Sequence, residues 1–136
     1  MASGFSHAVA AAAIGTAFYR RGLTAQFWVL GTACAILPDA DVIGVPLGIP
    51  FGSLFGHRGL SHSLLFAAAL AAVVVALSFR RMPDAVSRAR LWFYFFLATS
   101  SHGVLDALTN GGPGIAFFVP EGSNFTITRG VAGGVG

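Results

Sequence analysis

HRGLSHSLLFAAALAAVVVALSFRR, residues 57–81, opens on two histidines and an arginine, runs through an unbroken apolar stretch and closes on two arginines. Ser63 to Phe79 carries no charge and no proline. Its length approaches the roughly 20 residues a helix needs to cross a hydrocarbon core about 30 Å thick. The segment therefore predicts a membrane helix whose two ends differ chemically, imidazole at one and guanidinium at the other.

The rest of the chain extends that reading. Of 136 residues 55% are hydrophobic and only 10% charged, against roughly 25% charged in soluble domains. Three further apolar stretches, Phe5 to Tyr19, Leu23 to Leu37 and Leu91 to Leu108, lack internal proline. The expectation is a single membrane-embedded domain over 1–136, an all-α integral membrane protein of about four transmembrane helices, with the first two short unless their flanks are included. The alanine-rich Ala8 to Ala13 resembles the core of a signal peptide, but Arg20 and Arg21 follow the apolar run instead of preceding it, so the stretch reads as an uncleaved helix. Cys34 is the single cysteine; it excludes an intramolecular disulfide and reads as a small buried hydrophobe.

The basic residues are all arginine, and no basic face is interleaved with aromatics, which argues against nucleic acid as a partner. Arg20 and Arg21 separate the first two stretches; Arg80, Arg81, Arg88 and Arg90 separate the last two. In an up-and-down arrangement both connections share one side, which the positive-inside rule makes cytoplasmic. The opposite ends then gather His7, Asp39, Asp41, His57, Arg58, His62, His102 and Asp106: all four histidines and three of the five acids. A charge at the centre of a membrane helix costs about 2.5–3.5 kcal/mol on insertion scales, so such residues mark a site.

Spacing suggests what kind. His102 and Asp106 are four apart, hence on one helical face, with Thr109 continuing the stripe. They form a metal-ligand pair or, alternatively, a hydrogen-bonded staple between helices. In Leu37-Pro38-Asp39-Ala40-Asp41, Pro38 ends the helix and a turn presents the two carboxylates. In HRGLSHS, Gly59 turns the chain and Ser61 is a candidate N-cap for the helix carrying His62. Arg58 suits a phosphate or carboxylate substrate, the alternative being an ion pair with Asp39 or Asp41. His7 stands alone on its helix and is equally read as structural. The seven candidate ligands His7, Asp39, Asp41, His57, His62, His102 and Asp106 suffice for two metals, because a catalytic zinc takes about three protein ligands plus water. Between the motifs, Ile43, Val45, Leu47, Ile49 and Phe51 alternate with Gly44, Pro46, Gly48 and Pro50, which predicts an extended interfacial flap or an apolar linker.

LPDAD, HRGLSHS and SHGVLDALTNGG, in that order and separated by apolar helices, resemble the YdjM-type inner-membrane proteins, described as membrane-bound metal-dependent hydrolases. The resemblance covers residues 7 to about 120, with Ser61 where threonine is common. It implies a divalent-metal hydrolase, often likened to zinc phospholipase C and single-strand nucleases, with ligands at Asp39, Asp41, His57, His62, His102 and Asp106 and with His7 matching the family's N-terminal histidine. After Phe117-Phe118-Val119-Pro120 the family usually continues with an apolar, aromatic, proline-rich segment, whereas here Glu121 to Gly136 follows. Such a chain is either minimal or a C-terminally truncated form lacking part of the substrate site.

The resulting expectation is a multi-pass protein of the bacterial inner membrane whose site faces the extracytoplasmic side. Two or more divalent ions, zinc with manganese as the alternative, would activate water against a phosphoester of a lipid or lipid-like substrate. Asp39 or Asp41 would orient the water and Arg58 would neutralise the developing charge. A zinc-dependent intramembrane amidase or esterase, or a non-catalytic metal-binding or transport protein, are the alternatives. The spacings Ala11 to Gly15 and Gly31 to Ala35 allow close helix contact, within one chain or between chains.

The arginine distribution makes the orientation testable. In a Cys34-free background, a single cysteine at Ser53 should be labelled from outside the cell and one at Ser87 only from the cytoplasm; the reverse pattern overturns the orientation.

Overall fold

The computed structural model describes residues 3–49, 56, 59–82 and 84–108. His57, Arg58, Thr109 and the segment from Glu121 to Gly136 lie outside that set. Within it the chain forms four α-helices: α1 (Gly4–Phe18), α2 (Ala25–Ile36), α3 (Leu64–Ser78) and α4 (Ala85–Leu108). Two 3-10 segments, Leu37–Gly44 and Leu60–His62, lie between α2 and α3.

Local chemistry sets the starts. Ser3 caps α1, accepting the Ser6 N–H at 3.3 Å. Ser63 caps α3, accepting the Phe66 N–H at 3.1 Å, and the Asp84 carboxylate accepts the Ser87 N–H at 2.6 Å ahead of α4. Each satisfies one of the donors that a helix start leaves unpaired. The cap of α3 is thus Ser63 and not Ser61. His62 precedes the helix in a 3-10 turn closed by its N–H on the Gly59 carbonyl.

The α2 helix does not stop at Pro38 but tightens into 3-10 geometry, with the proline in its first turn, where a missing N–H costs nothing. Over residues 43–49 the expected extended flap does not form. Ile43 and Gly44 complete the 3-10 segment, and turns follow, with Val45, Leu47 and Ile49 donating to Val42, Gly44 and Gly44 at 3.0–3.1 Å. Gly48, at φ +82°, supplies the left-handed position that other residues avoid. Local i to i+3 bonds, with one i to i+5 bond from Ile49 to Gly44, hold this backbone in turns. Pro50 and Phe51 lie outside the described residues.

The packing is organised on α4, which contacts α1, α2 and α3. Tyr94 lies at its centre, fully buried, stacked on Phe27 with ring centroids 4.3 Å apart and reaching the Ala11 carbonyl at 3.4 Å. A Cβ at Gly31 would fall on the Tyr94 hydroxyl, and one at Gly15 would lie 2.7 Å from Trp28 and 3.1 Å from that hydroxyl. With Ala11 and Ala35 also fully buried, the Ala11–Gly15 and Gly31–Ala35 spacings serve contacts within the chain. Small residues lie at the closest helix contacts beside the buried Phe27, Tyr94 and Phe95, while Phe5 (78% exposed), Leu77 (73%) and Val29 (65%) face outward. Apolar side chains on the outside suit helices solvated by lipid.

At the arginine end, Arg90 donates to the Ala17 carbonyl at 2.7 Å and to the Phe18 carbonyl at 3.4 Å, tying the close of α1 to the start of α4. The two arginine-bearing connections therefore meet at one end of the bundle, as the up-and-down reading requires. By length and composition, one helical stretch among the described residues, Ala25–Gly44 with 20 residues, is long and apolar enough to cross a membrane. The 15-residue α1 and α3 reach only about 22 Å at 1.5 Å per residue.

Gly31→Ala should lower stability by about 1–3 kcal/mol through overpacking on Tyr94, with partial recovery when Tyr94→Phe removes the hydroxyl. Gly4→Ala, which meets nothing within 4 Å, should leave the detergent thermal melt unchanged.

Candidate metal centre

The polar side chains gather at the end of the bundle opposite the arginines. Asp39 and Asp41 come from the 3-10 continuation of α2, His62 from the short turn before α3, His7 from α1, and His102 and Asp106 from successive turns of α4. One ligand atom each from Asp39, His62, His102 and Asp106 lie within 4.8 Å of one another. His7, His62, His102 and Asp106 are buried; Asp39, with its side chain 28% exposed, forms the mouth.

The hydrogen bonds determine which imidazole nitrogens face inward. His102 Nδ1 lies 2.7 Å from the Ala35 carbonyl. A carbonyl only accepts, so Nδ1 carries the proton and Nε2 presents its lone pair. That Nε2 faces His62 Nε2 at 3.1 Å and Asp39 Oδ1 at 3.3 Å. His62 is oriented in the same way: its Nδ1 lies 3.3 Å from Asp41 Oδ2, and the Ser61 hydroxyl, which donates to that same carboxylate oxygen, lies 3.0 Å from Nδ1. A carboxylate behind one imidazole and a carbonyl behind the other are the outer partners typical of metal-binding histidines.

With both Nδ1 atoms protonated, the two Nε2 atoms face each other across 3.1 Å, an arrangement that a cation or a shared proton between them satisfies. Among the described residues Asp39 Oδ1 is buried without a hydrogen-bond donor, a situation costing about 1–3 kcal/mol. Two imidazole nitrogens and two carboxylates are donors that zinc and related divalent ions accept, so Asp39, His62, His102 and Asp106 could hold one.

His7 completes the wall. Its ring stacks on His102, centroids 3.8 Å apart and planes 23° apart, and its Nε2 lies 3.6 Å from Asp106 Oδ1. Neither ring nitrogen has a hydrogen-bond partner among the described residues. Asp41 stands behind His62, outside the tight group of four. The placement of His57 and Arg58 falls outside the described residues.

Two participants escaped sequence reasoning, the Ala35 carbonyl and Ser61. A signal existed for the first. Pro38, three residues on, brings no N–H to the Ala35 carbonyl as the helix tightens to 3-10 geometry. Ser61 binds the site and leaves the capping role to Ser63, a division that sequence spacing does not distinguish.

A helical bundle with an apolar exterior and buried histidines and aspartates at one end defines a membrane protein with a candidate metal centre. The chain belongs to the YdjM inner membrane protein family, matching it over residues 1–132, and its location is accordingly the inner membrane. It is similar to Inner membrane protein YbcI of Escherichia coli (strain K12), with 32% identity over 115 residues, covering 85% of this chain and 65% of that protein. The chain thus spans less than two thirds of that relative's length. No solved structure matches it.

The tautomer assignment is open to direct measurement. Long-range 1H–15N spectra of histidine-labelled protein in detergent should show His102 protonated at Nδ1; protonation at Nε2 alone would contradict the bond to Ala35.

Proposed function

We propose that the chain is a multi-pass, metal-dependent hydrolase with its site toward the extracytoplasmic face, cleaving a phosphoester of a lipid or lipid-like substrate. The observation that carries this reading is the opposed pair of Nε2 lone pairs on His62 and His102, closed by the Asp39 and Asp106 carboxylates. The orientation rests on the arginines at the far end, and the four-span topology on the three helices packed around α4.

A divalent ion, zinc or manganese, would be held by Asp39, His62, His102 and Asp106 and would supply Lewis acidity toward a phosphoryl oxygen and toward water. The chain's own residues do the rest. Asp41 and the Ala35 carbonyl hold the two imidazoles in one tautomer, so their nitrogens are positioned before substrate arrives. Asp39, the most exposed of the four, can accept a proton from water at the mouth. His7 packs against His102 and excludes water from the rear, and its nearness to Asp106 extends the donor set toward a second ion. Arg58, from the same HRGLSH motif, is the guanidinium the sequence offers to phosphate. Asp39 shares an open groove with the apolar Val29, Ala33, Ile36 and Leu37, which supports a substrate with hydrocarbon chains. Gathering of the donors at one end argues against a transport pathway, which needs ligands near the midplane.

Protein purified without chelator should contain at least one equivalent of zinc or manganese, and chelation should abolish hydrolysis of a phospholipid. His102→Ala and Asp106→Ala should each lose both metal and turnover while remaining folded with α4 inserted. Asp41→Asn, which alters the acceptor behind His62, should weaken metal affinity about 10–100-fold. Arg58→Ala should retain metal and lose turnover. A metal-free protein whose melting temperature is unmoved by any divalent ion would instead assign the facing imidazoles to a shared proton and a structural staple.

A further inference from the structure

At the opposite end of the bundle a cavity of about 270 Å³ opens between the α1–α2 turn and the start of α4. Its lining includes Arg20, Arg21 and Arg90 above the apolar side chains of Phe18, Leu23 and Met82. The turn that brings two of these cations together is built by Gly22, at φ +99°, with the Leu23 N–H closing on the Arg20 carbonyl at 3.1 Å. Arg90 is fixed beforehand: it donates to the Ala17 and Phe18 carbonyls and lies over the Phe18 ring, 5.4 Å from its centroid. Those two bonds use two of its five N–H donors.

Charge balance here is one-sided. The end carries Arg20, Arg21, Arg80, Arg81, Arg88 and Arg90 against one acid among the described residues, Asp84. The Asp84 carboxylate already accepts the Ser87 N–H, which together with the nearby Arg20 holds it below the usual carboxylate range. Three guanidinium groups lining one cavity repel one another, and an anion relieves that repulsion. The planar forks suit phosphate oxygens, and the walls beneath them are hydrocarbon. On the other flank of α4 the pattern recurs, with Arg80 and Arg88 above Val75 and Trp92.

We propose that the Arg20–Arg21–Arg90 cavity binds the phosphate headgroup of an anionic phospholipid of the inner leaflet, its chains lying along the apolar wall. The binding site is separate from the histidine–aspartate cluster, and the inference rests on the membrane placement but not on the hydrolase reading.

The test uses purified full-length protein in neutral detergent with added phosphatidylglycerol, phosphatidylcholine of the same chain length, or inorganic phosphate, read by thermal melt and by native mass spectrometry. Phosphatidylglycerol should raise the melting temperature and remain bound, and phosphatidylcholine should do neither. Arg20→Gln and Arg21→Gln, each leaving five arginines to hold the topology, should weaken the apparent affinity about fivefold apiece, the loss expected for one arginine at an anionic lipid surface. Arg81→Gln, at the same end but outside both cavities, should leave it unchanged. Equal responses to the two lipids would overturn the proposal, as would an Arg81→Gln loss matching that of Arg20→Gln. Phosphate alone reproducing the full shift would assign the cavity to a soluble anion and overturn the lipid. If either glutamine variant fails to fold, the wild-type comparison of the three probes still decides.

Discussion

The hydrogen bond between His102 Nδ1 and the Ala35 carbonyl is the contact on which the polar end of this protein depends. It joins α4 to the close of α2 and fixes the tautomer of the buried imidazole. It thereby aims Nε2 at the place where His62, Asp39 and Asp106 converge. Without it the ring could rotate or exchange tautomers, and its stacking against His7 would lose its register. The carboxylate of Asp41 does the same for His62 from the opposite side. Two outward-facing protons thus create two inward-facing lone pairs, and the chemistry of the site follows from that polarity.

This arrangement requires the helices to approach closely, which glycine and alanine allow around a buried aromatic cluster of Phe27, Tyr94 and Phe95. Gly31 and Gly15 leave the space that Tyr94 fills, and Ala11 and Ala35 let α1 and α2 come within reach of α4. Other large apolar side chains, among them Phe5, Val29 and Leu77, are directed outward, where in a lipid solvent they cost nothing and gain contact.

The two ends carry opposite chemistry. One gathers acids and imidazoles, the other guanidinium groups, and α4 runs between them. Membership of the YdjM family and similarity to YbcI place this polarised bundle in the inner membrane.

Much of this was written locally. The apolar runs specified four helices because helix periodicity and side-chain hydropathy are properties of short segments. The arginine pairs specified which ends belong together because charge segregation survives any detail of packing. The i, i+4 spacing put His102 and Asp106 on one face for the same reason. What the sequence left open is what depends on contacts between distant segments. Alternation from Ile43 to Ile49 read as an extended flap, but local turn bonds formed instead, since glycine and proline at every second position are as compatible with turns as with an extended chain. Ser61 was the candidate for the helix cap, but Ser63 caps α3 and Ser61 turns instead to Asp41. His7 gave no sign of its partner because stacking on His102 joins residues from opposite ends of the chain. The tertiary structure alone determined which nitrogen of each imidazole faces inward, because that choice belongs to the acceptor behind the ring and not to the residue that carries it.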